Sequence, residues 1–285
     1  TECIKELILE SKKKFTENKR YKYSDEKLTL WSYSSGYWDD IKRIHKRHID
    51  TVILDENVKV DIKKSIDRYN NKDYKKKLRS FGINHKMNLV FSGLPGTGKT
   101  SLLFAVATLL DKDIATLDFN NKEITDHTFI QALNRIPKDT VFVMEDIDAL
   151  YIDREKSRDN SISFSVILNF LDGTYSKDDL VTVITTNHLN RLDKALIRPM
   201  RIDKILKFTY CSKYQYETLF NKIFPDNNEI MKQLYKIIKT KKFTTSMIQK
   251  FFITYLDEPK SLLDNVAVFD ELINTSSDKD YNMFT

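Results

Sequence analysis

Hydrophobic positions along the chain change their period twice, and each change marks a different kind of structure. In the first 47 residues a stretch with helical spacing, Ile4, Leu7 and Ile8 in ECIKELILESKKKF, gives way to aromatic-rich segments RYKY, LTLWSYS and YWDDIKRI. Turn residues separate them, Ser24-Asp25 and Ser34-Ser35-Gly36, so this part predicts a small β-rich segment. In DTVILDENVKVDIKKSIDRYNNKDYKKKLRSFG, Val58, Ile62 and Ile66 then share one helical face, with lysines on the others.

From Asn88 to about Tyr210 strand-like and helix-like segments alternate: NLVFSG, TSLLFAVATLL, IATLDF, DHTFIQALNRI, TVFVME, SFSVILNFLDG, LVTVITT, DKALIR and KILKFT. Such alternation predicts an α/β fold with a mostly parallel sheet flanked by helices, and ligands of such sheets bind at the carboxyl ends of the strands. After Ser212 the strands stop. Four helical stretches follow, SKYQYETLFNKIF, NNEIMKQLYKIIK, TSMIQKFFITYL and EPKSLLDNVAVFDELI, the third opened by a Ser246-x-x-Gln249 capping-box pattern. They predict a small all-α domain, and the polar end NTSSDKDYNMFT predicts a frayed tail. The expected division is residues 1–47, 48–211, 212–274 and 275–285.

Composition narrows this only a little. A chain of 285 residues has room for about two domains of ~150 residues. The balance of 47 Lys and Arg against 41 Asp and Glu leaves +6, with both signs interspersed, which speaks for solubility and against a nucleic-acid partner. KDYKKKLR reads as a solvated helix face. Cys3 and Cys211 alone make neither a disulfide framework nor a zinc site, and a reducing compartment fits. No apolar run reaches the ~18 residues of a membrane span, and no signal-peptide pattern is present. The chain opens on Thr1 and is expected to be an N-terminally truncated fragment, which leaves membrane attachment through a missing upstream segment open.

Candidate chemistry lies in four places. Gly93-Leu94-Pro95-Gly96-Thr97-Gly98-Lys99-Thr100 is a complete GxxxxGK[ST] phosphate loop between a predicted strand and a predicted helix that continues through Ser101. Its glycines let backbone N–H groups converge on an anion, Lys99 would reach the β- and γ-phosphates, and Thr100 would offer its hydroxyl to Mg²⁺. VFVMEDIDAL is an apolar strand ending in Glu145 and Asp146, with Asp148 beyond, and such a strand can lie beside the loop strand. VITTNHL ends in Asn187, an uncharged amide able to hold a water against a γ-phosphate. ALIRPMR sets Arg198 and Arg201 on a rigid turn suited to a phosphate, which in trans would need a neighbouring subunit.

These four pieces in this order, followed by a small helical domain, resemble the AAA ATPases from about Asp50 to Asp264. Within them the chain is similar to the Bcs type, named for the mitochondrial chaperone that moves a folded Rieske iron-sulfur protein across the inner membrane. The likeness rests on EDIDA at 145–149, TTNHLNRLDKALIRPMRID at 185–203, YCSKYQ at 210–215 and FFITYLDEPKSLLDN at 251–265, with TVILDENVKVDIKKSIDRY as the lead-in. Leu94 departs from a usual Pro and Met200 from a usual Gly. The resemblance implies a P-loop AAA core with a helical lid, preceded by the end of a Bcs-specific domain in residues 1–47. It also implies Asn187 as first sensor, Arg198 and Arg201 as fingers reaching an adjacent subunit of a homo-oligomeric ring, and the mitochondrial inner membrane for a true family orthologue.

The expected function is a Mg²⁺-dependent ATP hydrolase and chaperone or translocase that moves a protein cargo. DFNNKEITDHTFIQALNRIPKDT contains no glycine, which disfavours an aromatic-apolar-Gly threading loop and suits a folded cargo. ATP over GTP follows from the resemblance alone. Aligned with the commoner Asp-Glu order, Glu145 takes the metal side and Asp146 activates water, with the reverse left open. The alternatives are a nucleic-acid-associated motor and a nucleotide-gated scaffold without turnover.

Overall fold

The computed structural model describes residues 26–119, 121, 124–148 and 162–282, with side chains to residue 275. Several expectations lie outside them: the helix in ECIKELILESKKKF, the RYKY segment, Cys3, Ala149 of EDIDA, three positions (120, 122 and 123) of the glycine-free stretch, and residues 283–285.

Strands β1 (Lys27–Ser34) and β2 (Tyr37–His45) pair antiparallel across Ser35-Gly36, whose left-handed backbone matches the strand twist. This hairpin is not a separate appendage. β1 pairs in parallel with β4 (Asp113–Thr116), where the Asp113 carboxylate accepts the Thr29 N–H at 2.7 Å and the Trp31 indole N–H at 3.3 Å. The Trp38 indole donates to the Ala132 carbonyl at 2.9 Å.

β3 (Met87–Gly93), β5 (Thr140–Met144), β6 (Val181–Thr186) and β7 (Lys204–Phe208) complete one sheet in the order β2-β1-β4-β5-β6-β3-β7, parallel throughout except at the hairpin. β5 and β6 are buried along their whole length, which is why β5 runs apolar rather than alternates, while β6 buries Thr182, Thr185 and Thr186 among its apolar residues. The acid-bearing strand β5 does not lie beside the loop strand β3, as the sequence suggested. β6 separates them, and its Ile184 pairs with Val90 on one side and Met144 on the other, so the carboxyl ends of all three are level.

Helices α1 (Glu56–Asn70) and α3 (Lys99–Leu110) cover one face, and α4 (Asp126–Asn134) and α5 (Phe164–Asp172) pack in the apolar cluster on the other. Between α1 and α2 (Lys72–Ser80) the chain breaks at Asn71, whose side-chain oxygen accepts the N–H groups of Asp73 and Tyr74. DKALIR forms turns instead of a helix. The stretch is too short to nucleate before Pro199, and the Asp193 carboxylate takes the Ala195 N–H in a local turn.

The C-terminal part is helical: α6 (Lys213–Ile223), α7 (Asn228–Ile238), α8 (Thr245–Thr254), α9 (Ser261–Asp264) and α10 (Val266–Asn282). Tyr216, Phe220, Phe251, Phe252 and Phe269 form its core. Its tail, expected to fray, is helical to Asn282. The N-cap of helix α8 is Thr244, not Ser246, which lies within the first turn. The Ser212 hydroxyl donates to Asp55 and Gln215 Nε2 to the Ile53 carbonyl at 3.2 Å, tying this domain to the segment before α1. Among the described residues no helix is long and apolar enough to cross a membrane.

At the amino ends of β3 and β6, Tyr69 stacks on buried His85 with ring centroids 4.4 Å apart, and the Tyr69 hydroxyl donates to the Asp179 carbonyl at 2.7 Å. His85 Nδ1 contacts the Asp179 carboxylate at 2.6 Å, and Lys75 pairs with the same group. Burial pushes the Asp179 pKa up, but the bonds from Lys75 and His85 outweigh it and leave the carboxyl below its ordinary value. The stabilisation is therefore present above the unfolded value of about 4 and is lost as pH falls through the lowered folded value. Asp179→Asn should lower stability at pH 7 in denaturant melts and flatten the further loss on acidification. Asp113→Ala, which orphans the Thr29 and Trp31 donors, should cost roughly 1–3 kcal/mol and raise amide exchange in residues 27–45 more than in β3.

Candidate functional site

The level carboxyl ends of β3, β5 and β6 open into a cleft of about 690 Å³ between the sheet and the helical domain. That is within the ~300–1,000 Å³ of small-molecule sites. Two glycines of the phosphate loop are required by contact. A Cβ on Gly93 would lie 1.9 Å from the Phe208 carbonyl oxygen of β7, and one on Gly96 would lie 2.2 Å from the Ser246 hydroxyl. Gly96 and Gly98 also have φ of +71° and +103°, a left-handed backbone that glycine adopts without strain. The Thr97 hydroxyl closes the loop by donating to the Leu94 carbonyl at 2.6 Å. Pro95, Gly98, Thr100 and Ser101 line the cleft.

Lys99 opens α3 and turns its ammonium back into the loop, donating to the carbonyls of Gly93 (2.6 Å) and Leu94 (3.0 Å) and to Asn187 Oδ1 (2.7 Å). Burial lowers its pKa, against the nearby charges of Asp146 and Asp148. The Asn187 amide donates to Asp146 Oδ1 at 3.3 Å, while the Asn187 backbone N–H donates to the buried Asp148 at 3.2 Å. Asp146 has φ +46° and gives its own N–H to the Thr185 hydroxyl at 2.9 Å, a kinked strand end that aims its carboxylate at Asn187. Glu145 and Asp146 both reach solvent through the cleft yet lie deep enough for desolvation to raise their pKa values. Asp146 adds to the shift at Glu145, and at Asp146 the charge of Asp148 adds while Lys99 opposes.

Arg198 and Arg201 do not line this cleft. Arg201 is held by its own chain, donating to the Ala195 carbonyl at 2.6 Å and facing Asp172 at 3.4 Å. Arg198 is exposed, and its guanidinium has no partner among the described residues. Between them Met200 is exposed at φ +72°, the backbone a glycine would adopt without strain. Asp148 is buried behind Asn187.

Sequence reasoning missed the far walls. Thr245 Oγ1 and the Ser246 backbone N–H both donate to the Gly96 carbonyl, at 3.2 and 3.1 Å, and Gln249 lines the cleft one turn on. The Ser246-x-x-Gln249 spacing had a simpler explanation as a cap. Val52, Ile53, Leu219, Ile223, Ile253 and Leu256 form an apolar wall that no local motif announces. Cys211 stands apart, its thiol pushed up to about 12 by burial and by Asp55.

The donor set fits a nucleotide. The oxygens now held by Lys99 are replaceable by phosphate oxygens, and the cradle is open where a Cβ would fill it. Among the described residues no three His, Cys, Asp or Glu side chains cluster to hold a metal by themselves. A Mg²⁺ would therefore take phosphate and water oxygens beside Thr100 and Glu145, as this ion ordinarily does.

Comparisons with known proteins agree in both parts of the chain. Residues 89–210 match the family model of the ATPase family associated with various cellular activities (AAA), and residues 213–268 match that of the mitochondrial chaperone BCS1-like ATPase lid domain. A probable mitochondrial chaperone BCS1-B of Dictyostelium discoideum is 30% identical over 78% of this chain and 55% of its own length. The probable mitochondrial chaperone bcs1 of Schizosaccharomyces pombe is 29% identical over 91% of this chain and 57% of its own. For the human mitochondrial chaperone BCS1 the values are 27%, 77% and 55%. The chain thus spans a little over half the length of these relatives.

Gly93→Ala should lower stability by roughly 3 kcal/mol or more in denaturant melts, since backbone carbonyl cannot yield. Gly96→Ala should fold but weaken nucleotide binding, and Ser246→Ala added to it should restore part of the loss, because the obstructing atom is then gone.

Proposed function

Because this chain belongs to the AAA ATPases and carries a lid of the BCS1 type, we propose that it is an ATP-hydrolysing chaperone that works as a homo-oligomeric ring on a protein cargo. One observation carries the reading: Lys99, Asn187 and Asp146 form a continuous hydrogen-bonded line across the ends of β3, β6 and β5, at the floor of a cleft roofed by the lid.

In this proposal the phosphate loop, Gly93 to Thr100 with Ser101 behind it, binds the phosphate chain through backbone N–H groups and Lys99 moves from its own carbonyls to the β- and γ-phosphates. Thr100 and Glu145 would hold Mg²⁺, which when bound neutralises charge on the phosphate oxygens. Asn187 orients the attacking water, and Asp146, next to Asn187 and Lys99, accepts its proton. Asp148 positions Asn187 from behind. The apolar wall accommodates a base. Exclusion of water by the lid, whose Thr245 and Ser246 already touch Gly96, strengthens these interactions.

Arg198 is offered to the nucleotide of an adjacent subunit, with Arg201 holding the turn in shape. Its exposure, the absence of a partner among the described residues and its position outside the lining of its own cleft support donation in trans. The names of the relatives suggest a mitochondrial setting and a protein substrate, and membrane attachment would come through a segment outside this chain. On α2 the basic side chains Lys75 and Arg79 are paired with Asp179 and Asp178, which favours a solvated face over a nucleic-acid surface.

Phosphate release from ATP should be measurable for the wild type and abolished in Lys99→Ala; wild-type binding without release would leave a nucleotide-gated scaffold. Asp146→Asn should keep ATP binding and lose about 10²-fold or more in turnover, with a milder loss in Glu145→Gln; the opposite order would exchange the two roles. Arg198→Ala should be inactive alone, and mixing it with Lys99→Ala protein should restore turnover if the arginine acts between subunits.

A further inference from the structure

One wall of the cleft comes from residues 47 and 51–53, between the hairpin and α1, and it includes a cation with no counter-charge among the described residues. Arg47 lines the cleft and is half-buried. Its backbone N–H is fixed to the Thr108 hydroxyl at 2.9 Å, and that hydroxyl donates to the Phe104 carbonyl at 2.8 Å, so the residue is pinned against α3. Thr108 lies two turns beyond Ser101 on the same helix face, about 10 Å along the axis. Arg47 and Ser101 both line the cleft, and the long arginine stem is able to span that stretch of the helix.

The other bases here already have partners. Lys46 pairs with Asp111 at 2.6 Å, and Lys222 donates to the Asp50 carbonyl at 3.4 Å. The Arg47 guanidinium makes no hydrogen bond or ion pair among the described residues. A half-buried guanidinium keeps its five donors and is always charged, so an unpaired one on a cavity wall is stabilised when an anion enters.

We infer that Arg47 is a nucleotide-binding residue that takes the α-phosphate and ribose side of the bound nucleotide. This rests on reading the cleft as a nucleotide site, and it fills the stretch between Lys99, which serves the outer phosphates, and the apolar wall around the base. Arg47 stands two residues past the end of β2.

Calorimetric titration of the full chain with ADP decides the matter, using Arg47→Met, which keeps the aliphatic stem, Arg47→Lys and Lys99→Ala, each checked for an unchanged melting temperature. Arg47→Met should weaken ADP about tenfold, and Arg47→Lys should recover part of that loss. Adding ADP should slow amide exchange in residues 46–54 of the wild type and not of Arg47→Met. Unchanged ADP affinity in Arg47→Met, with Lys99→Ala impaired, overturns the assignment while leaving the nucleotide site in place. A wild type that does not bind ADP overturns both.

Discussion

Everything at the site depends on giving one half-buried cation enough oxygen. Lys99 leaves water at the first position of α3, and its ammonium is satisfied by two loop carbonyls and the Asn187 amide oxygen. The loop must therefore fold back over its own strand, and β6 must run beside β3 and end level with it. Pairing of Ser92 with Thr186 meets that second demand. Without such partners the desolvation of the ammonium would be unpaid; with them, a preformed cradle stands where phosphate oxygens can take over.

Strand order then decides which acids share that cradle. Because β6 lies between β3 and β5, Asn187 is the bridge between lysine and carboxylate, with Lys99 on its oxygen and Asp146 on its nitrogen. Asp148 is buried behind it and holds the backbone that carries the amide. The lid meets the phosphate loop through Thr245 and the Ser246 N–H on the Gly96 carbonyl, so the loop and the lid share one peptide plane. A shift of that plane is felt on both sides.

Much of this was legible in the chain. The phosphate loop is readable because its GxxxxGK[ST] spacing is contiguous, although Gly93 and Gly96 are required by the distant Phe208 and Ser246, and β5 is readable because burial on both faces demands a continuous apolar run. DKALIR misled, since its apolar spacing suits a helix, while Pro199 and the Asp193 turn outweigh so short a propensity. Ser246 misled for a related reason. A serine three before a glutamine suits a cap, but the cap falls to Thr244 and Ser246 lies inside the helix, where its backbone N–H donates to the Gly96 carbonyl.

The amino-acid sequence by itself determined the alternation of strands and helices, the loop that cradles an anion and the residue types at three strand ends, because each depends on near neighbours and on period. Only the tertiary structure decided that β6 separates β5 from β3, that the hairpin extends the sheet, that the lid rests on Gly96 and that Arg47 faces the cleft. Those outcomes are set by contacts between residues tens to more than a hundred positions apart, such as Thr29 with Asp113 and Gly96 with Thr245. Their energies come from packing and hydrogen bonds that no local pattern encodes.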